Sequence, residues 1–423
     1  MRRIVILGAG FGGMEAAVTL DRNLGRSPDA EILLVSAQNY FMFTPLLPQI
    51  VSSYIEPRHI VQAIREVRGK RRYRFRREEV RSVDLDQKKI LLDSGAIDYD
   101  SLIVALGSRT DYFGVPGARE NSLDFKTLED AVVLRERLLD FCEHADHTQD
   151  ADERRRLLTV GIVGGGYTGV ELICEMRDFF YQYALRRYRG ISKGEIHLIL
   201  VEASPNILSG VHPKLRAHAL KRLQSEGIEI RYNARVTRCA PGVVEINGAE
   251  RLEPGTVVWT AGVRAHELVE KLPGKHDAIG RAVVNENLQL ESHPEVFVVG
   301  DSAAAVSGLE APRVAPVAIT QGVLAARNIV HLMRGEPLES YRYVSKGTTV
   351  SLGMNDAVVS FAGINIHGYF AWLLWNAIHL YKLVGMKKQL QVALDWSLGT
   401  LFPRDAAIVR RPRGCPLCDV RHN

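Results

Sequence analysis

The run Ile4-Val-Ile-Leu-Gly-Ala-Gly-Phe-Gly-Gly13, leading into Met14-Glu-Ala-Ala-Val-Thr-Leu20, decides the fold. Four apolar residues in a row suit a strand buried on both faces, and the apolar positions after Gly13 recur at helical spacing. Between strand and helix, Gly8, Gly10, Gly12 and Gly13 permit a tight turn, let the backbone approach a pyrophosphate, and let helix pack on strand. The helix N-terminus adds partial positive charge. A dinucleotide is therefore expected at this turn. The next strand, Glu31-Ile-Leu-Leu-Val35, should end on an acidic residue that grips the adenosine ribose, yet Ser36 stands there. A hydroxyl still bonds a ribose, but without the charge assistance that makes carboxylate bonds about twice as strong.

The design recurs in the middle of the chain. Val160-Gly-Ile-Val163 runs into Gly164-Gly-Gly-Tyr-Thr-Gly169, another helix opens, and the strand Ile196 to Val201 ends in Glu202. Gly164, Gly166 and Gly169 are the expected pyrophosphate contacts. A carboxylate at 202 bonds the 2'-hydroxyl of NAD and repels the 2'-phosphate of NADP, so NADH is the expected nucleotide. Two such sites in one chain need a reason, and the commonest is a flavin at one with nicotinamide held against it from the other. Further strand signals at Ser101 to Leu106, Thr256 to Thr260 and Val296 to Val299 complete an α/β class with two Rossmann-like dinucleotide-binding domains. The polar stretch Cys142 to Arg156 reads as an inter-unit linker or an exposed helix end. The expected division is 1–150, first part of an FAD-binding domain; 151–280, NADH-binding; 281–335, second part of the FAD-binding domain; 336–423, a C-terminal hairpin and membrane-associating region. The hairpin pairs Thr348 to Leu352 with Ala357 to Phe361.

Composition sets the outer limits. Over 423 residues, 46% hydrophobic and 24% charged, the chain reads as folded, neither disordered nor a polytopic membrane protein. The net charge of +5 is concentrated between Lys382 and Arg413. A basic run from Arg65 to Arg77, interleaved with Tyr73 and Phe75, reads as a solvated helix end and strand face, so no nucleic-acid partner is expected. Cysteines at 142, 174, 239, 415 and 418 form no disulfide framework, which suits a reducing compartment. Cys415 and Cys418 supply two of the four ligands a structural zinc needs, and no metal is expected. Disulfide reductases of this double-nucleotide plan need a cysteine pair beside the flavin, but no cysteine precedes Cys142, and Cys174 reads as a small buried hydrophobe. Arg2-Arg3 runs straight into the first strand, so no cleavable signal is expected.

From Tyr369 to Met386 the chain is apolar except for Asn376, His379 and Lys382, three residues apart, which form one narrow polar stripe. We expect a helix lying in a membrane interface, with Trp372, Trp375 and Tyr381 at headgroup depth and Lys387 and Lys388 toward anionic lipid. A buried dimerisation helix is the competing reading, and the two are compatible, so a homodimer stays open.

Together with the two glycine turns in this order, Tyr40-Phe-Met-Phe-Thr-Pro-Leu-Leu-Pro48, Trp259-Thr-Ala-Gly-Val-Arg264 and Val296-Phe-Val-Val-Gly-Asp301 resemble the type II NADH:quinone oxidoreductases over nearly the whole chain. The resemblance implies non-covalent FAD, NADH as donor, a membrane quinone as acceptor, no proton pumping, and peripheral attachment at the cytoplasmic face of a bacterial inner membrane. It places Asp301 on the flavin ribityl chain and Ala105-Leu106-Gly107 under the flavin, and it adds Gly262 to the cofactor-binding set. It makes Glu171 the candidate for proton handling, against a plain role in complementing the helix dipole; Glu175 reads as structural. The family's Ala-Gln-x-Ala-x-Gln pattern on the quinone side corresponds here to Ala315-Pro316-Val-Ala-Ile-Thr320, followed by Gln321, so both pattern glutamines are replaced. Quinone is then expected to be held mainly by apolar contacts. The competing functions are a soluble flavin reductase with another acceptor, and a flavin-binding interaction protein of the apoptosis-inducing type.

Overall fold

In the computed structural model, which describes all residues but 69, 70, 306–310, 346, 403, 405, 406 and 409–423, the first glycine turn joins β1 (Arg2–Leu7) to α1 (Phe11–Leu24). Ile4 to Leu7 are fully buried, as a strand covered on both faces must be. β2 (Ala30–Ser36) pairs parallel on one side of β1, with Ile4 opposite Ile32, and β3 (Arg74–Arg77) extends the sheet beyond β2. On the other side lies β4 (Ser101–Val104), with Ser101 opposite Ile4. β4 stops two residues short of its expected end, where the chain turns toward Gly107 at φ 71°. Sheet growth thus reverses between β1 and β4, the kind of point outside whose carboxyl ends open α/β sheets bind ligands.

α2 (Leu128–His147) leads to the second unit, its start fixed by a reciprocal capping box between Thr127 and Asp130. It fills the first part of the stretch read as linker or helix end. A short helix, Ala151–Leu157, capped by Asp150, fills most of the rest. The stretch is polar because its outer faces are wet; Cys142 and Ala145 stay in the core.

The second unit repeats the plan with β5 (Thr159–Val163), α3 (Tyr167–Asp178), β6 (His197–Val201), α4 (Pro213–Ser225), β7 (Ile228–Arg231) and β8 (Thr256–Trp259). β5 lies between β6 and β8, with Val160 opposite Leu198 and Thr256. Leu123–Asp124 pairs at the outer edge of β8. β9 (His293–Val298) then returns to the first sheet, parallel to β4 with Val296 opposite Leu102. The chain continues into α5 (Ala315–Arg334), which lies on α1. The two helices approach so closely that a Cβ on Gly322 would sit 2.2 Å from the Gly12 carbonyl oxygen.

The expected C-terminal hairpin is present as β10 (Thr348–Ser351) and β11 (Ala357–Phe361), and a third antiparallel strand, β12 (Ile364–His367), joins it. α6 (Tyr369–Lys382) and α7 (Met386–Leu401) follow. The stretch expected as one helix to Met386 is broken, because Leu383 is extended and Gly385 has φ 89°. Its orientation corrects the expectation too. Asn376 and His379 face the interior, and Trp372 and Trp375 are buried beside them instead of standing at headgroup depth. The His379 ring stacks on Trp375 with centroids 4.0 Å apart and meets Phe43 edge-on. Burial pushes His379 down to about 4, so it is neutral there. The core absorbs Asn376 and His379 while Lys382, at the end of the helix, stays exposed, which leaves the broad apolar side outward. Phe370, Leu373, Leu374 and Tyr381 on α6, and Leu390, Leu394, Leu398 and Leu401 on α7, are exposed. Lys388 turns back to donate to the Arg58 carbonyl at 2.6 Å. No helix among the described residues is long and apolar enough to cross a membrane. Cys415 and Cys418 lie outside the described residues.

Candidate active site

Gly8, Gly10, Gly12 and Gly13 occupy the carboxyl end of β1. Gly8 has φ 96°, and a Cβ there would lie 2.3 Å from the Ala105 carbonyl oxygen. Gly13 abuts the Gly8 carbonyl in the same way, so neither position accepts a side chain. Gly10 faces open space and caps α1 with extended backbone and no side-chain bond. The first amides of α1 therefore remain for a ligand. Ala105 and Gly107 leave β4 beside this turn, and Gly300 and Asp301 leave β9. Ser108 Oγ donates to the Asp301 carboxylate at 2.7 Å, and the Gly300 N–H donates to Gln321 Oε1 at 2.7 Å. Ser36 ends the neighbouring β2. Open room at Gly10 and Gly107, with uncapped helix amides between, fits the pyrophosphate of a dinucleotide such as FAD.

The second turn is built alike. Gly164 has φ 112° and lies against Ala261, and a Cβ on Gly169 would lie 1.9 Å from the Gly164 carbonyl oxygen. Gly166 caps α3 without a side-chain bond. Glu202, directly after β6, accepts from the N–H groups of Gly165 and Ser204, both at 2.7 Å. Each carboxylate oxygen keeps a further lone pair for a hydroxyl. Gly262 follows β8 and lies under the Phe113 ring. An antiparallel ribbon, Ser108–Thr110 against Val263–Ala265, joins the two turns. Gly107 precedes one strand of it and Gly262 the other, which holds the two switch points roughly 13 Å apart along the ribbon.

Glu171 lies on α3 just past its first turn and accepts from the Ser351 N–H of β10 at 3.0 Å. One edge of the residue reaches the surface, yet burial of the carboxyl pushes it up to about 8. The Ser351 N–H opposes that shift, and the charge of Glu175 adds to it. A carboxyl protonated at neutral pH does little for a helix dipole. Glu175, one turn on, is buried, accepts from Ser52 Oγ, and is raised to about 7 by burial and the Asp178 charge. Asp178, also buried, pairs with Arg177 at 3.0 Å and accepts from the Met354 N–H at 2.7 Å. Arg404 donates to the Ser52 carbonyl at 3.0 Å. Three carboxyls thus share one stripe of α3.

On the proposed quinone side, Ala315 and Pro316 open α5, where a missing N–H does no harm. The Thr320 hydroxyl bonds back to the Pro316 and Val317 carbonyls and meets the Tyr341 hydroxyl at 3.2 Å. Gln321 is turned to Gly300. Both polar side chains are thus engaged within the protein. Cys174 is buried on α3, its thiol pushed well above the usual range by burial.

Sequence reading missed Ser108, Lys126 and Gly322. Ser108 directly follows Gly107, a position that carries some signal. Lys126 stands in an ordinary loop place ahead of the Thr127 cap, and Gly322 acquires meaning only once α5 is known to lie on α1.

A family profile described as pyridine nucleotide-disulphide oxidoreductase matches residues 2–322, and one described as the NDH2 C-terminal domain matches residues 345–405. The type II NADH:quinone oxidoreductase NdhA of Mycobacterium tuberculosis is 33% identical over 414 residues, covering 94% of this chain and 86% of that protein. The type II NADH:quinone oxidoreductase of Staphylococcus epidermidis is 30% identical over 396 residues, covering 91% and 96%. Among solved structures, NDH2 from Plasmodium falciparum in complex with NADH has the same fold, with a TM-score of 0.88 at 20% identity over 96% of this chain and 100% of that one. The sulfide:quinone oxidoreductase of Aquifex aeolicus shares the fold at a TM-score of 0.74 and 21% identity, over 95% of each chain.

Proposed function

The chain belongs to the type II NADH:quinone oxidoreductases, and from that premise we propose how its residues divide the reaction. It oxidises NADH and reduces a quinone, with FAD as its cofactor. A bound FAD would supply the hydride acceptor, able to hand on the two electrons together with the hydride's proton. Gly8, Gly10, Gly12 and Gly13 would hold its pyrophosphate over the α1 N-terminus, Ser36 its adenosine ribose, and Asp301 its ribityl chain, with Ala105 and Gly107 beneath the ring. Gly164, Gly166 and Gly169 hold the NADH pyrophosphate, Glu202 its ribose, and Gly262 offers backbone. The flavin is held without a covalent bond.

NADH, one proton and a quinone become NAD⁺ and a quinol, so one proton beyond the hydride must reach a quinone oxygen. Glu171 carries it. Its carboxyl is protonated at neutral pH, gives that proton to the quinone oxygen and regains one from solvent. Ala315 and Pro316 meet the quinone through apolar contact, and Thr320 and Gln321, both engaged elsewhere, add little polar discrimination. The outward leucines of α6 and α7 rest in the membrane interface, on the cytoplasmic side where NADH is made, and no proton is pumped.

The observation that carries this reading is the ribbon Ser108–Thr110/Val263–Ala265, which joins the segments leaving β4 and β8 beside two uncapped, glycine-headed helices. The test follows flavin colour in protein bound to anionic liposomes. NADH should bleach it and a quinone should restore it. Recovery with a soluble dye but with no quinone would move the acceptor elsewhere.

A further inference from the structure

Lys126 stands between the short strand Leu123–Asp124, which edges the nicotinamide sheet, and the Thr127 cap of α2. Its ammonium donates to Ser108 Oγ at 2.7 Å and to the Ser108 carbonyl at 2.8 Å. The same hydroxyl donates to the Asp301 carboxylate at 2.7 Å. A hydroxyl has one proton to give and lone pairs to accept with, and an ammonium can only give, so the direction of this chain is fixed. Lys126 gives to Ser108, and Ser108 gives to Asp301. Burial pulls the ammonium below its usual range, while the charges of Asp301 and Asp124 hold it up and that of Arg313 opposes them.

We propose that Lys126 is a positioning residue for the flavin, which acts through Ser108 to aim the Asp301 carboxylate and sets a positive charge beside the redox site. The inference rests on the reading of Asp301 as a flavin ligand. Its geometry ties the two nucleotide units together, because Asp124, two residues before Lys126, pairs with Trp259 of the nicotinamide sheet. Two effects follow. A carboxylate held by a charge-assisted chain presents its free lone pairs in one orientation, and losing that chain weakens FAD binding by about tenfold. A nearby cation also favours the electron-rich form of a redox cofactor, so removing it makes the flavin harder to reduce.

The test compares FAD-loaded wild type with Lys126→Met, Lys126→Arg, Ser108→Ala and Asp301→Asn. FAD release on dilution gives the affinity, and equilibration with reference dyes gives the flavin midpoint potential. Lys126→Met should bind FAD about tenfold more weakly and shift the midpoint to more negative values. Ser108→Ala, which keeps the ammonium on the residue 108 carbonyl, should weaken FAD binding to a similar degree while moving the midpoint less, and Lys126→Arg should retain most of the wild-type value of each. If Lys126→Met does not fold, Ser108→Ala decides the affinity, since it removes the relay hydroxyl without burying a new group, and Lys126→Gln, which keeps a polar head but no charge, decides the midpoint. Weaker binding with an unmoved midpoint would reduce Lys126 to a structural contact and overturn the proposal. So would wild-type affinity and midpoint in both relay variants while Asp301→Asn loses flavin. If Asp301→Asn also binds FAD normally, the reading of Asp301 fails first and the proposal falls with it.

Discussion

Replacing Glu171 by Gln should make the protein more resistant to unfolding, and increasingly so as pH rises. Burial pushes the wild-type carboxyl from its ordinary 4.5 up to about 8. Between those values the unfolded chain has released a proton that the folded chain still holds. Because the folded value is the higher one, the stability linked to this proton is complete below the unfolded value and is lost as pH climbs through the folded one. Each pH unit inside that window removes about 1.4 kcal/mol. From pH 6 to pH 8.5 the wild type should therefore lose about 2.5 kcal/mol that Glu171→Gln keeps. The amide oxygen still accepts from the Ser351 N–H, so the substitution removes the titration and little else. Glu175, Asp178, Arg177 and Arg404 surround the same stripe in both proteins, and their own titrations largely cancel in the difference. The assay is urea unfolding followed by circular dichroism at both pH values, with FAD in equal fixed excess so that ligand linkage is matched. A stability gap that is the same at pH 6 and pH 8.5 would refute the reasoning, since Glu171 would then be ionised in the folded protein and hold no proton to give. The kinetic counterpart is quinone reduction that declines above about pH 8 in the wild type and is slow at every pH in the variant.

Glu202→Gln should narrow the preference for NADH over NADPH by about 1 to 3 kcal/mol, mainly by improving NADPH, as the like-charge penalty disappears; an unchanged ratio of the two kcat/KM values would place the ribose contact elsewhere. Gly322→Ala forces a Cβ onto the Gly12 backbone, and should cost about 3 kcal/mol or displace α5 and empty the flavin site; melting and the flavin-to-protein ratio report this, and a variant yellow and stable as wild type would contradict the close approach. Leu390→Asp/Leu394→Asp should lower binding to anionic liposomes by at least about tenfold per site, given about 1.5 to 3 kcal/mol for burying each leucine. If co-sedimentation with liposomes is unchanged while a dimer falls to monomers, the outward face of α7 belongs to a second copy of the chain.

The two nucleotide sites were legible in the sequence because backbone sterics enforce them. Gly8, Gly13, Gly164 and Gly169 each sit where a Cβ would strike a carbonyl oxygen or a backbone carbon, so few residue patterns are compatible with the turn. Glu202 could be picked out because it directly follows a strand that can be counted, whereas Asp301, three residues past the end of β9, was singled out only through the family resemblance. The periodicity of α6 gave the polar stripe but not its direction. Asn376 and His379 read as the wet side until Phe43 and the adjoining sheet are seen to cover them. Glu175 read as an ordinary helix residue because its partner, Ser52, is far away in sequence. Lys126 was invisible for the same reason, since its meaning depends on Ser108 and Asp301, which only the folded chain brings together.

The late arrival of β9 and α5 has a consequence for synthesis. As the chain leaves the ribosome, β1, β2, β3 and β4 appear early, yet the outer edge of β4 has no partner until His293–Val298 emerges. The face of α1 that receives Gly322 stays uncovered longer still. An unpaired parallel edge is a template for wrong pairing, and pairing across so many intervening residues closes slowly. Among the described residues the sheet from β5 to β8 takes only the edge strand Leu123–Asp124 from outside its own stretch, and that strand has already been made, so this sheet can close first. Asp301 and Gln321 reach the first glycine turn only with the returning segment. On the proposed role of Asp301, flavin capture is then tied to near-completion of the chain, and the part of the protein made first is the last to become functional.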